Sequence, residues 1–252
     1  MTGHACPVCG VDAPLLDVVD FSKSCDDARG NFLPLSGIPI YYALCDACGF
    51  CFAPDIMRWT IEEFSRRIYN DDYVRVDPDY RELRPRGNAQ MLAATLGQHA
   101  LDIRHLDFGG GHGELCAALF AAGWDSQSYD PFVDGALRPD IGKFNLVTSF
   151  EVFEHVPDVN ALVATLASLL EDPALLLFTT LVSDGQIARN RRLTWWYASP
   201  RNGHISLFSR KSLALLGAKA GFRLKSLSPG LHMFWRELPP WAAELVAAES
   251  KA

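Results

Sequence analysis

Short apolar runs alternate with stretches of helical spacing along most of this chain. Residues 15–19 and 38–44 are strand-like. From Trp59 to Arg67 the spacing is helical, with Ile61, Phe64 and Ile68 on one face, and a second helix is predicted from Asn88 to His99. A buried strand then ends at Leu106-Asp107-Phe108, and a helix opens at Glu114-Leu115-Cys116. Short strands follow at 124–129 and 144–150, an amphipathic helix runs from Asp158 to about Leu170, and a continuous apolar strand covers 174–182. Ser209 is placed to cap a helix that Gly221 ends. Residues 222–227 and 231–235, split by Ser228-Pro229-Gly230, form an antiparallel hairpin, and a short Ala-rich helix closes the sequence after Pro239-Pro240.

Between the strand ending at Phe108 and the helix opening at Glu114 lies Gly109-Gly110-Gly111-His112-Gly113, a loop with glycine at alternate positions. Glycine lets the backbone turn sharply and lets a ligand lie against it. The spacing is G-x-G-x-G, not the G-x-G-x-x-G of the dinucleotide fingerprint. Asp130 follows the next strand, at its tip, where an acidic group accepts the two hydroxyls of a ribose. The strand at 144–150 runs into Glu151-Val152-Phe153-Glu154-His155-Val156-Pro157.

In this order the three motifs resemble the class I S-adenosylmethionine-dependent methyltransferases, and most of all the branch typified by ubiquinone-biosynthesis O-methyltransferases. The resemblance covers roughly residues 99–235. It implies an α/β, Rossmann-like sheet with an antiparallel C-terminal hairpin, and S-adenosyl-L-methionine as cofactor. The cofactor residues it implies are Asp107, Gly109, Gly110, Gly111, Gly113, Asp130, Phe150 and Glu151. The interval between Asp130 and Phe144 is too short for the helix and strand of a full core, so a vestigial third strand is expected near Asp140-Ile141. The acidic residue that usually meets the adenine amine has no counterpart there, which leaves Pro131 and Phe132 as apolar walls.

Arg189 to His204 form a basic, aromatic loop after the fifth strand, the position that faces the substrate side of the cofactor in class I enzymes. Trp195, Trp196, Tyr197 and Arg201 are the candidate acceptor-binding residues, the competing reading being that a tryptophan plugs the core beneath the loop. His204 is the candidate general base and His155 a second one; the alternative for His204 is a ring that orders its loop through a backbone bond. Between Gly185 and Arg236 there are ten Lys or Arg and no Asp or Glu. That stretch carries +10 and the rest of the chain −17, which points to a small anionic acceptor unless the charge is merely a solvated face.

Cys6-Pro7-Val8-Cys9-Gly10 and Cys45-Asp46-Ala47-Cys48-Gly49 are two copies of one device. Two thiolates three positions apart can bite one tetrahedral metal, so Cys6, Cys9, Cys45 and Cys48 are expected to hold one structural zinc in a ribbon-like module. A reduced or redox cysteine pair is the alternative. Cys51 extends the second knuckle but lacks the further ligand that an iron–sulfur reading needs, and Cys25 and Cys51 are expected to be packing residues. Similar zinc-binding modules precede the core of sugar C-methyltransferases, and that resemblance extends the acceptor class to a nucleotide-linked sugar or another small metabolite.

The expected organisation is a zinc module at 1–56, a helical linker or cofactor lid at 57–98, the methyltransferase domain at 99–237 and a tail helix at 238–252. Tyr69-Asn70-Asp71-Asp72-Tyr73 would be that lid, or a surface linker with aromatic anchors. No apolar run approaches the roughly 20 residues of a membrane span, and with no secretion signal and free-cysteine chemistry the expected compartment is cytoplasmic. An RNA acceptor is disfavoured by nine acidic against five basic side chains between Met1 and Asn70. A third reading is a non-catalytic cofactor-binding fold that recruits a partner through its zinc module.

Overall fold

The computed structural model describes residues 3–247. Along the chain the strands β1 (His4–Ala5), β2 (Asp12–Ala13), β3 (Leu15–Asp20), β4 (Pro39–Leu44) and β5 (Cys51–Phe52) come first. The helices α1 (Ile61–Arg67), α2 (Tyr73–Val76) and α3 (Leu83–Leu96) follow. Then come β6 (Arg104–Phe108), α4 (Glu114–Ala121), β7 (Asp125–Tyr129), α5 (Pro131–Asp134), β8 (Phe144–Ser149), α6 (Val159–Leu169) and β9 (Leu170–Thr179). The final elements are β10 (Ser206–Leu207), α7 (Arg210–Lys219), β11 (Arg223–Ser226), β12 (Leu231–Trp235) and α8 (Ala243–Ala247).

These elements fold into two compact units that interleave in sequence. The first gathers Met1–Pro78 (from residue 3), Phe153–Leu162 and Leu181–Leu216; the second gathers Asp79–Val152, Val163–Thr180 and Gly217–Ala252 (to residue 247). In the second unit six strands lie in the order β11-β12-β9-β8-β6-β7. β7, β6, β8 and β9 are parallel, while β12 and β11 run antiparallel to their neighbours. Central parallel strands are covered on both faces, which is why residues 174–178 of β9 read as an unbroken apolar run. Ala89, Leu92, Leu96, Leu115, Leu119, Trp124, Leu146, Leu175 and Met233 are among the side chains of the core on this sheet.

The vestigial strand expected near Asp140-Ile141 is absent among the described residues, and the sheet ends at β7. A parallel crossover needs a dozen or more residues before its strand can begin. Here α5 and a turn use up the interval before Phe144. β7 itself, Asp-Ser-Gln-Ser-Tyr, is polar and suits an edge position.

The first unit contains a four-stranded sheet in the order β10-β5-β4-β3 and the small β1-β2 pair. β10 comes from the far end of the sequence and pairs with β5, Ser206 opposite Phe52 and Leu207 opposite Cys51. Thr60 opens α1 with a capping box, its hydroxyl accepting from Glu63 N–H while the Glu63 carboxylate accepts from Thr60 N–H. No helix among the described residues is long and apolar enough to cross a membrane.

Candidate functional site

In the second unit the loop between β6 and α4 is tied together by its own residues. Gly109 N–H donates to Tyr129 carbonyl at 2.8 Å, so the loop starts by clasping the end of β7. Gly109, Gly111 and Gly113 all have positive φ, which L side chains rarely adopt. Gly110 is required for space instead: a Cβ there would lie 2.4 Å from Ser128 Oγ and 2.6 Å from an Asp107 carboxylate oxygen. Asp130 is the clamp. One of its oxygens accepts from Gly111 N–H at 2.9 Å and the other from Phe132 N–H at 2.8 Å. Pro131 and Phe132 start the short α5, with the Phe132 ring half exposed.

Asp107 is buried at the end of β6 and takes a 2.6 Å hydrogen bond from Thr148. Burial, with the nearby Asp130 charge, pushes its carboxyl up to about 6 against the opposing effect of the Thr148 bond. Behind it, Thr148 contacts His105 Nε2 at 2.9 Å and His105 Nδ1 contacts Ser126 at 2.8 Å. Because Thr148 donates to Asp107, His105 carries its proton on Nε2. Burial holds that ring neutral, with a pKa lowered to about 3. His105 and Thr148 had no motif to mark them, although both sit on strands adjacent to Asp107.

Glu151 follows β8 with φ 56, unusual for a residue with a side chain. Thr179 holds it there, accepting from Glu151 N–H at 2.8 Å and contacting its carboxylate at 3.1 Å, and Arg84 lies 3.4 Å from that carboxylate. This backbone strain sits at the carboxyl end of a strand beside β6. Phe150, by contrast, points into the core.

The first unit holds the other candidates. His155 and His204 meet with ring centroids 4.8 Å apart. His204 Nδ1 lies 2.9 Å from the Tyr197 carbonyl and 3.7 Å from Cys25 Sγ. A carbonyl only accepts, so His204 Nδ1 is the donor in that contact. Glu154 is fully buried, accepts from Tyr197 OH at 2.5 Å and lies 4.0 Å from His155 Nε2. The aromatic triplet divides: Trp195 and Tyr197 are buried and Trp196 is exposed.

Arg201 is buried, and its guanidinium donates to the Ile68 carbonyl at 3.0 Å and Asn70 Oδ1 at 3.4 Å, tying the 200–203 turn to the segment after α1. Tyr73 OH reaches the Asn202 carbonyl at 3.4 Å, and the Tyr69 and Tyr73 rings meet edge to face with centroids 5.1 Å apart. Other charges of the basic stretch are also engaged. Arg189 pairs with Asp46 at 3.1 Å, Arg192 with Asp17 at 2.8 Å and Arg236 with Asp172 at 3.3 Å.

The four knuckle cysteines converge. Cys6 and Cys48 sulfurs are 3.6 Å apart and Cys9 and Cys45 sulfurs 3.4 Å, and all four lie within 4.8 Å of one another. Zinc with sulfur at about 2.3 Å in tetrahedral geometry separates its ligands by about 3.8 Å, so the donor set fits. The knuckles are built alike: Gly10 N–H donates to the Cys6 carbonyl at 2.8 Å and Gly49 N–H to the Cys45 carbonyl at 2.7 Å. Their shared thiol hydrogen bond pushes Cys6 down to about 5 and Cys48 up, as expected of crowded sulfurs that cannot all keep protons. Cys51 is buried in β5, where burial raises its thiol, and takes no part.

This unit also grips the loop after β9. Lys23, from the cysteine region, donates through its ammonium to the Trp195 carbonyl at 2.8 Å and the Ala198 carbonyl at 2.8 Å. Tyr42 OH donates to the His204 carbonyl at 2.7 Å, and Ser209 Oγ to the Cys48 carbonyl at 2.5 Å.

The strand order and the strand–glycine-loop–helix site define a class I, Rossmann-like methyltransferase fold. The chain belongs to the methyltransferase-domain family, whose family model, described as "Methyltransferase domain", matches residues 80–227. Among solved structures, it is similar to an O-methyltransferase family protein from Burkholderia thailandensis, with 15% identity, 73% of this chain and 67% of that chain covered, and a TM-score of 0.50. It is also similar to the 1,6-didemethyltoxoflavin-N1-methyltransferase of the same organism (16% identity, 83% and 99% covered, TM-score 0.49). A third is DesVI from Streptomyces venezuelae (16% identity, 67% and 96% covered, TM-score 0.45). No curated protein sequence matches the chain.

Proposed function

We propose that this S-adenosylmethionine-dependent methyltransferase methylates a small-molecule acceptor, with the cofactor on the β6–α4 loop and His204 as the candidate general base. The observation that carries the cofactor half is the Asp130 clamp, whose carboxylate is already fixed on the glycine loop and retains lone pairs for ribose hydroxyls. The Gly109–Gly113 backbone would bed the ligand, Asp107 would supply negative charge near a cationic cofactor, and Pro131 and Phe132 would flank the adenine.

The bound cofactor would supply an electrophilic methyl group on a sulfonium. His204, whose Nδ1 lies against the Tyr197 carbonyl, would in its neutral form take the proton from the acceptor's nucleophilic atom through Nε2. Alignment of the reactants can contribute on the order of 7–11 kcal/mol and the base a further hundredfold or more. Trp196, exposed on the loop that carries His204, is the remaining aromatic candidate for acceptor contact. The zinc site would be structural, since four cysteines close its coordination shell.

An anionic acceptor now rests on less than the charge count suggested, because Arg189, Arg192, Arg201 and Arg236 hold protein groups. Incubation with methyl-labelled S-adenosylmethionine and fractionated small metabolites tests the reading. Label should enter a small molecule, and His204→Ala should slow transfer by about a hundredfold while cofactor affinity stays intact. Label entering RNA alone would move the assignment to the nucleic-acid reading, and a protein that binds cofactor without transferring label to any fraction would favour the non-catalytic one.

A further inference from the structure

We propose that Asp107, Thr148, His105 and Ser126 form a proton relay in which His105 exchanges its ring tautomer whenever Asp107 gains or loses its proton. Cofactor binding on the glycine loop then expels a proton through the sheet to the β7 edge. Thr148 and His105 are positioning residues, acting on the cofactor through Asp107. The relay's link to binding rests on the cofactor placement given above; its hydrogen-bond chain does not.

All four residues belong to the second unit, and strand register brings them together. Thr148 lies opposite Asp107 across β6 and β8, and Ser126 opposite His105 across β6 and β7. His105 and Asp107 are two apart on β6, so their side chains share one face of the sheet. Ser126 Oγ meets His105 Nδ1 at 2.8 Å, His105 Nε2 meets Thr148 Oγ1 at 2.9 Å, and Thr148 donates to Asp107 Oδ1 at 2.6 Å. His105 and Thr148 are fully buried, Asp107 nearly so, and Ser126 is half-buried on the edge strand.

Thr148 owns one hydroxyl proton and a neutral imidazole one N–H, so the bonds along this chain must all point the same way. With Asp107 ionised, Ser126 O–H donates to Nδ1, His105 Nε2–H to Thr148, and Thr148 O–H to the carboxylate. A proton on Oδ1 reverses every bond: Asp107 donates to Thr148, Thr148 to Nε2, and His105 Nδ1–H to Ser126. Oδ1 is the oxygen with Thr148 as acceptor, whereas Oδ2 faces Gly110, 2.6 Å from where a Cβ would stand. On ionisation each of Thr148, His105 and Ser126 gains one proton as it gives one up, the last leaving from Ser126 to water. Only Asp107 changes charge. A cofactor lying on the loop covers the little of Asp107 that reaches solvent, which leaves the chain behind it as the exit.

Burial keeps His105 neutral in both arrangements, its pKa lowered to about 3, and pushes Asp107 up to about 6. The groups facing the chain leave its proton alone. Cys116 on α4 stays protonated, burial pushing its thiol up to about 12, and donates to the Gln127 carbonyl at 2.9 Å. Trp124 meets the His105 ring edge-on at 6.3 Å, β9 sets Leu177 opposite Thr148, and α3 contributes Ala89, Leu92 and Leu96 to this core. Asp130, at the tip of β7, adds a negative charge that helps Asp107 hold its proton, an effect a sulfonium opposes. Glu151, after β8, lies 3.4 Å from Arg84.

Nitrogen-15 spectra of His105 in the full-length, zinc-loaded protein test the relay without any acceptor. From pH 8 to 5 wild type should pass from the Nε2–H to the Nδ1–H tautomer, with a midpoint near 6 and no imidazolium. Saturating S-adenosylmethionine at pH 6 should return the ring to Nε2–H. Calorimetry in buffers of different ionisation enthalpy should count about half a proton released there and almost none at pH 8. Thr148→Val cuts the chain and should freeze the tautomer across this range, while Thr148→Ser keeps a hydroxyl and should restore the switch. If Thr148→Val does not fold, the wild-type spectra decide. A His105 that keeps one tautomer from pH 5 to 8, or is an imidazolium by pH 5, overturns the proposal, as does a switch that persists in folded Thr148→Val. Should the tautomer follow pH but ignore a cofactor that calorimetry shows bound, the cofactor placement fails and the relay stands.

Discussion

Asp107, Gly109 to Gly113 and Asp130 lie in one short stretch of sequence, and the second unit needs little beyond its own sheet to hold them. The imidazole cluster of the first unit is assembled from Cys25, Glu154, His155, Tyr197 and His204, with Lys23 and Tyr42 bracing the loop. One site is a local motif on a buried strand, the other a convergence of distant segments. The first should survive damage elsewhere in the chain. The second depends on whatever holds the cysteine region together, and there the knuckles share a unit with the loop through Ser209 on the Cys48 carbonyl.

Loss of the metal is therefore the largest expected effect. Structural zinc contributes apparent binding energies of about 10–16 kcal/mol in small modules, so Cys48→Ser or chelation should unfold the cysteine region and free the amides of residues 195–209. Hydrogen exchange read peptide by peptide, beside a cofactor titration, separates the units: fast exchange at 195–209 with cofactor affinity kept within about threefold supports the contrast. Equal loss in both would erase it.

Gly110→Val strikes the other side. Its side chain would meet Asp107 and Ser128 at under 3 Å, so cofactor binding should fall by a hundredfold or more while zinc content stays at one equivalent. Normal affinity in that variant would mean the ligand lies elsewhere.

Most of the second unit was legible in the sequence because its signals are local. Strand, glycine loop, helix and Asp130 follow one another in order, and the short gap before Phe144 already implied a reduced sheet, although the structure removes the third strand entirely. In the first unit β3, β4, α1 and the cysteine knuckles were legible from local pattern, and the way distant segments meet was not. Pairing of β10 with β5, the burial of Arg201 and the Glu154–Tyr197 bond all link positions far apart in sequence, and no periodicity records such pairings. The charge run is silent for the same reason: a count of arginines does not show that Arg189 and Arg192 reach Asp46 and Asp17.

Asp107 gives a pH-dependent prediction. Its folded value of about 6 lies above the ordinary 3.8, so its contribution to the stability of the free protein is present below about 4 and lost as pH rises through 6. A cationic cofactor favours the ionised form, so affinity should climb from pH 5 to 7, by up to about tenfold per unit below the pKa, and then level off. Asp107→Asn should flatten that profile in calorimetric titrations; an unchanged profile would place the titrating group elsewhere. Cys25→Ala and Cys51→Ala are the smallest changes, expected to keep the zinc equivalent and to cost stability of about 1–2 kcal/mol in thermal melts. Zinc loss in either would redraw the ligand set.

Titration of S-adenosylmethionine into zinc-loaded wild type and Asp130→Ala tests the central claim most directly. Saturable one-to-one binding is expected in wild type, weakened about ten- to a hundredfold in the variant by the loss of a charged acceptor worth roughly 1.5–3 kcal/mol. Absence of binding at millimolar cofactor, or equal binding by both proteins, would contradict it.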